Sequence, residues 1–134
     1  MNIKQNHPIQ KILQFFQDRN ILYVCWKDLD LFTDIFEGKK DLDILVLNKD
    51  KHKLLDSAQE FGALILKNRL EVSDDLLHLY LTDESGCIFH IHIYTRFITG
   101  ESWLKEYHFP IEKQLIEERV WDPIYRVWKI SNLL

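Results

Sequence analysis

The stretch Gly38-Lys39-Lys40-Asp41-Leu42-Asp43-Ile44-Leu45-Val46 decides the fold prediction for this chain. It is typical of a turn followed by a strand, and the strand begins with two carboxylates, Asp41 and Asp43. Because successive side chains of a strand point to opposite faces, the two acids share one face and the apolar residues share the other. Two neighbouring acids repel each other, and a divalent cation that carries a phosphate would stabilise them. The alternative is a solvated strand start whose acids are offset by Lys39 and Lys40.

The composition predicts one domain over residues 1–134. The chain has 134 residues, of which 46% are hydrophobic and 13% aromatic, which is enough to build a core. A net charge of −4 gives no general attraction to nucleic acid. The sequence contains no long apolar run and no basic leader, so neither a membrane span nor a secretory signal is expected. Cys25 and Cys87 lie in apolar segments, which predicts reduced thiols and a cytoplasmic location.

The spacing of apolar residues predicts alternating helices and strands. Helices are predicted at residues 7–19, 28–36, 48–61, 101–107, 111–119 and 124–134. Strands are predicted at residues 21–26, 41–47, 63–66, 76–81 and 87–94. Residues 76–81 and 87–94 form a predicted hairpin. The order predicts an α+β fold with a mixed β-sheet, helices packed on one face and further helices at the C-terminus.

The predicted hairpin has one apolar and one polar face. Alternation places Leu77, Leu79 and Leu81 with Phe89, Ile91 and Ile93 on the apolar face. The other face carries His78, Tyr80, His90, His92 and Tyr94. If this hairpin lies beside the Asp41 strand, the acids and the histidines line one polar cleft.

The candidate site combines metal ligands with cations. Asp41 and Asp43 would hold Mg²⁺ through oxygen ligands, while an imidazole ligand such as His92 would favour Zn²⁺ or Mn²⁺. The alternative for His90 and His92 is hydrogen bonding to Tyr80 and Tyr94. Three cations, Lys27, Lys40 and Arg96, are candidates for binding substrate phosphates, with a solvated role as the alternative for each.

Two segments carry a resemblance to a known superfamily. Tyr23-Val-Cys-Trp-Lys27, a short helix and then the Asp41-x-Asp43 strand resemble the core of the DNA-polymerase-beta-like nucleotidyltransferases. Phe89-His-Ile-His-Ile-Tyr-Thr-Arg-Phe-Ile-Thr-Gly100 resembles the third strand and exit segment of bacterial members. That superfamily carries a Gly-Ser at a helix start, an Asp-x-Asp on the next strand and a third acid on a later strand. In this chain Cys25-Trp26-Lys27 replaces the Gly-Ser, and His90 or His92 replaces the third acid.

The resemblance implies a nucleotidyltransferase. Such a protein transfers a nucleotidyl group from a Mg²⁺–nucleoside triphosphate to an acceptor hydroxyl, with Asp41, Asp43 and His90 as the catalytic residues and Asp41, Asp43 and His92 as the metal ligands. The two replacements leave open a nucleotide-binding or regulatory partner module without catalysis. A third alternative is a metal-dependent phosphohydrolase that uses the same histidines and acids. The acceptor is not predicted, and a homo-oligomer formed through the apolar C-terminal segment is a further expectation.

Overall fold

The structure is a computed structural model that describes residues 7–66, 76–96, 98–99, 107–108 and 111–131. The helices are α1 (Pro8–Asp18), α2 (Phe32–Phe36), α3 (Lys51–Phe61, preceded by a 3₁₀ turn at Asn48–Asp50) and α4 (Glu112–Glu117). The first strands are β1 (Tyr23–Cys25), β2 (Leu42–Val46), β3 (Leu64–Leu66), β4 (Leu76–Thr82) and β5 (Ile88–Tyr94). The later strands are β6 (Ile98–Thr99), β7 (Tyr107–His108), β8 (Val120–Asp122) and β9 (Val127–Lys129).

Seven of these strands form one mixed sheet in the order β3-β4-β5-β2-β1-β9-β8, and β6 pairs with β7 separately. β2 runs parallel to β5, and β1 runs parallel to β9. The other neighbours in the large sheet are antiparallel. The predicted α+β fold with a mixed sheet is therefore confirmed, and the predicted hairpin is the β4–β5 pair.

One face of the sheet packs against the helices that precede β4. The apolar positions of the central strands, among them Leu42, Ile44, Leu79 and Ile91, are fully buried there. α1 contributes Ile9, Ile12, Leu13 and Phe16 to the same cluster. These residues recur every three or four positions, so they line one side of the helix. The alternation predicted for β2, β4 and β5 thus holds on this face.

The opposite face has a second, smaller apolar cluster. Leu115 and Ile116 of α4 pack with Val24, Leu45, Leu76 and Tyr94. α4 lies over β1 and β2. α4 is one of the further helices predicted at the C-terminus, and it borders the part of the sheet that carries Asp43.

The predicted helix over residues 124–134 is wrong, because the described part of that segment belongs to the β8–β9 hairpin. The Asp122 carboxylate accepts the backbone N–H groups of Ile124 and Tyr125, each at 2.9 Å. Arg126 takes a left-handed backbone conformation with φ of 56°. These features form a tight turn, and β9 then pairs with β1. The helix predicted over residues 111–119 is present as α4, whereas the one predicted over 101–107 lies largely outside the described residues.

The remaining expectations concern thiols and membrane spans. Cys25 is buried, Cys87 is half-buried, and both are free thiols. Burial raises the pKa of the Cys25 thiol, and Asp43 acts in the same direction. Among the described residues, no helix has both the length and the apolar character needed to cross a bilayer.

His7 links stability to pH through a helix cap. Its Nδ1 accepts the N–H of Ile9 at 3.1 Å, and its Nε2 lies 2.8 Å from the carbonyl oxygen of Phe36. The Nε2–H group can donate to Phe36 in either protonation state, but Nδ1 can accept from Ile9 only in the neutral ring. Burial lowers the pKa of His7, against the opposing effects of the Phe36 carbonyl and Asp83. Protonation therefore removes the cap of α1.

We expect the free energy of unfolding to fall as the pH drops from about 7.5 through 6.5 and below, since the unfolded chain binds the proton more readily. Loss of the cap should cost about 1 kcal/mol. Urea unfolding at a series of pH values measures the effect. His7→Asn keeps a capping side chain that does not titrate, so it should be less acid-sensitive than the wild type. An identical pH dependence in the two proteins would contradict this role.

Candidate functional site

The structure brings the predicted acids and histidines together on one face of the sheet. β2 and β5 are neighbours, and their register places Asp43 beside His92. The Asp41 Oδ1 lies 2.8 Å from the His90 Nδ1, and the Asp43 Oδ1 lies 3.4 Å from the His92 Nδ1. Each acid therefore has its own imidazole neighbour. The shared sheet face expected from the alternation is present. The cleft beside it is lined by Asp41, Asp43 and His92 but not by His90, and the roles of these residues remain predictions.

Asp41, His90 and His78 form a hydrogen-bonded chain. The His90 Nε2 lies 2.7 Å from the His78 Nδ1. A carboxylate only accepts, so the His90 Nδ1 carries the hydrogen that Asp41 accepts. Burial lowers the pKa of His90, with His78 and His92 adding to this effect and Asp41 opposing it. In the neutral ring Nε2 accepts, so the His78 Nδ1 must be the donor.

Asp43 and His92 form the buried part of the site. Asp43 is only 5% exposed and His92 only 9%. The His92 Nδ1 also lies 3.1 Å from the Tyr94 hydroxyl. Its Nε2 is buried without a hydrogen-bond partner among the described residues. Because a buried unpaired polar atom is costly, this nitrogen is a position where a bound molecule or water would be stabilising.

A cleft of about 320 Å³ opens beside these residues. It is lined by Lys27, Asp28, Lys39, Lys40, Asp41, Asp43, His92 and Tyr94. The Lys39 Nζ lies 2.8 Å from Glu37, and the Lys40 Nζ lies 3.3 Å from Asp28. Lys27 has no ion pair with the described residues, which leaves its ammonium available for a phosphate group.

The segment between β1 and α2 contributes Lys27 and Asp28 to the lining of the cleft. Asp28 adopts a left-handed backbone conformation with φ of 54°, and α2 begins only at Phe32. The Trp26 ring packs edge-on against Tyr94, with centroids 4.9 Å apart. The cleft is therefore lined by the side-chain cations Lys27, Lys39 and Lys40 and by no residue of α2.

Other predicted residues occupy different positions. Lys27 and Lys40 line the cleft, whereas Arg96 lies two residues beyond the end of β5 and is not a lining residue. No functional role was predicted from the sequence for His78 or Asp28. His78 was nevertheless predicted on the polar face of the hairpin, and the structure places it there, opposite His92. For Asp28, whose partner Lys40 is distant in the chain, the sequence carries no comparable signal.

The carboxylates of the cleft fit a metal ion that is also coordinated by the phosphates of its substrate. Among the described residues, no group of three or more His, Cys, Asp and Glu side chains is arranged to hold a metal ion. Mg²⁺ is commonly bound through one or two carboxylates together with substrate phosphates and water. Asp41 and Asp43 fit that mode, since Asp41 directly before β2 and Asp43 within it bring two carboxylates to the cleft.

Comparisons with known proteins bear on the fold. No protein-family model matches the chain. No curated protein matches it either. Among solved structures, it is similar to the lincosamide antibiotic adenylyltransferase LnuA with lincomycin bound, with a TM-score of 0.56 and 15% sequence identity. The match covers 98% of this chain and 82% of the other. The chain thus has a nucleotidyltransferase-like fold.

Proposed function

We propose that this protein binds a Mg²⁺–nucleoside triphosphate in the cleft and transfers its nucleotidyl group to an acceptor hydroxyl. The proposal rests on one observation, that the two carboxylates Asp41 and Asp43 line the same cleft as the cation Lys27. The nucleotidyltransferase-like fold of a solved adenylyltransferase supports the same reaction class. Fold alone does not specify chemistry, so the site residues carry the argument.

Each residue has a distinct part in this proposal. Asp41 and Asp43 would hold the Mg²⁺, which neutralises charge on the triphosphate. Lys27 would bind a phosphate as a point charge, with Lys40 able to exchange Asp28 for the same ligand. The acceptor oxygen would attack the α-phosphorus, and the bond to the pyrophosphate would break. The acceptor proton would pass to the Nε2 of His90. The lone pair of that nitrogen accepts from His78 in the resting structure, so the acceptor hydroxyl would have to take the place of the His78 Nδ1–H.

A second candidate is a nucleotide-binding module with little or no catalysis. The Asp41 carboxylate already accepts a hydrogen bond from His90. The resemblance in sequence implies that His90 or His92 replaces the third acid of the superfamily. Fewer carboxylates would leave the metal less firmly positioned, and positioning with metal charge supplies most of the rate in such reactions. We therefore expect the protein to bind a nucleotide more readily than it transfers the nucleotidyl group. The phosphohydrolase alternative gains no support, because the described histidines and acids do not converge on a metal position.

Two measurements on the purified protein test the proposal. Calorimetric titration with each of the four common nucleoside triphosphates, with and without Mg²⁺, should show Mg²⁺-dependent binding. Incubation with α-labelled triphosphates and cell extract as the source of acceptors should then show slow transfer of label. Binding without transfer supports the binding module. The absence of both would contradict the proposal and its second candidate together.

A further inference from the structure

The sheet face that carries the two acids continues across β5 and β4 to the edge strand β3. Strand register arranges its side chains in two cross-strand rows. The first row runs from the edge through Leu64, Tyr80 and His90 to Asp41. The second row runs through Leu66, His78 and His92 to Asp43. Each carboxylate therefore lies at the inner end of a continuous row.

The rows change from apolar to polar as they approach the acids. Leu64 and Leu66 at the edge are 59% and 47% exposed, and Ile88 on the same face is 59% exposed. The middle positions hold two stacked ring pairs, Tyr80 with His90 at 4.5 Å and His78 with His92 at 4.3 Å between centroids. Large exposed apolar patches that are rimmed by polar residues mark binding surfaces, and Leu64, Leu66 and Ile88 place exposed apolar side chains on the face that carries the polar rows.

This surface is continuous with the candidate active site. We call it the acceptor surface and define it by Leu64, Leu66, His78, Tyr80, Ile88 and His90. Its inner boundary is the pair His90 and Asp41, whose atoms are 2.8 Å apart. Lys27, the cation proposed to bind a phosphate, follows β1, and β1 lies on the side of β2 away from β5. A molecule on the acceptor surface would thus approach the nucleotide from the side opposite Lys27.

We propose that the acceptor surface binds an alcohol with an apolar body, whose hydroxyl reaches Asp41 and His90 while its apolar part covers Leu64 and Leu66. The inference rests on the proposed function, because it assigns the substrate class of the same site. Polar groups at the inner end match a hydroxyl, and the exposed leucines match a hydrocarbon. Two strand spacings separate His90 from Leu64, a distance of about 10 Å that an extended chain of about eight carbons spans.

Linear primary alcohols from 1-butanol to 1-nonanol test this inference without nucleotide. Binding is followed by NMR, using the ring signals of His78 and His90. We expect the dissociation constant to change little for short chains and to fall about fourfold for each added methylene once the chain reaches the leucines. Leu64→Ser and Leu66→Ser should remove this dependence. Ile124→Ser, at a residue that is 64% exposed in the β8–β9 turn, is the matched control and should retain it.

The outcomes separate the two proposals. A chain-length dependence that persists in Leu64→Ser and Leu66→Ser overturns the inference, as does a wild-type protein that binds no alcohol. Mg²⁺–nucleotide binding is titrated in the same variants and should be unchanged, because neither leucine lines the nucleotide cleft. Failure of nucleotide binding with the alcohol dependence intact contradicts the proposed function alone. Failure of the alcohol dependence with nucleotide binding intact contradicts this inference alone.

Discussion

Asp43→Asn is expected to weaken the binding of a Mg²⁺–nucleoside triphosphate by about 100-fold or more, since a lost metal ligand costs several kcal/mol. Asp43 is 5% exposed and lies at the centre of the sheet, so its carboxylate would hold the ion in a site with little competing water. An amide of the same shape is a far poorer ligand for Mg²⁺ than a carboxylate. Calorimetric titration in Mg²⁺ measures the loss, and transfer of label should disappear with it.

Asp122→Asn is the matched control for this prediction. Asp122 is also buried, at 8% exposure, but it lies on β8, which β1 and β9 separate from β2 in the sheet order. Its carboxylate holds the turn through backbone N–H groups and lies 3.1 Å from the Lys129 Nζ. This variant should lose stability and keep its nucleotide affinity. Unchanged affinity in a folded Asp43→Asn protein would rule out the metal role of Asp43.

The strands that build the site could be predicted from alternation alone. In β2, β4 and β5 every second residue has a large apolar side chain. Because these side chains face the core, Asp43 and His92 must lie on the opposite face of the sheet. The parallel pairing of β2 with β5 then brought these two residues together. This part of the prediction succeeded because local pattern and tertiary packing agree in these three strands.

The C-terminal hairpin could not be predicted by the same reasoning. Ile124, Val127 and Trp128 recur at spacings that suit a helix as well as a short hairpin. The choice depends on the Asp122 side chain capping the turn and on β9 completing the sheet beside β1. The pairing of β9 with β1 is a long-range contact, which the local spacing of apolar residues cannot predict. The Asp28–Lys40 ion pair escaped prediction for the same reason.

Gly38, in the turn before the two acids, is a position where the backbone conformation requires a glycine. It has φ of +80°, and a Cβ built there would lie 2.9 Å from the Cys87 Sγ and 3.0 Å from the backbone oxygen of Ile88. The turn therefore needs a residue without a side chain, both for the left-handed conformation and for its close approach to the start of β5. Lys39, Lys40 and Asp41 follow directly, so a displaced turn would move the lysines and the first acid of the cleft.

Gly38→Ala is expected to lower the free energy of unfolding by about 2–4 kcal/mol, which combines the left-handed strain with the overpacking against β5. Gly86→Ala is the control, because Gly86 has φ of +86° and a Cβ added there would meet no atom of the described residues within 4 Å. It should lose only about 1 kcal/mol, from the strain alone. Urea unfolding of both variants gives the comparison, and equal losses would refute the contact with Cys87 and Ile88. Because the relaxed turn shifts Lys40 and Asp41, Gly38→Ala should also weaken Mg²⁺–nucleotide binding, whereas Gly86→Ala should leave it unchanged.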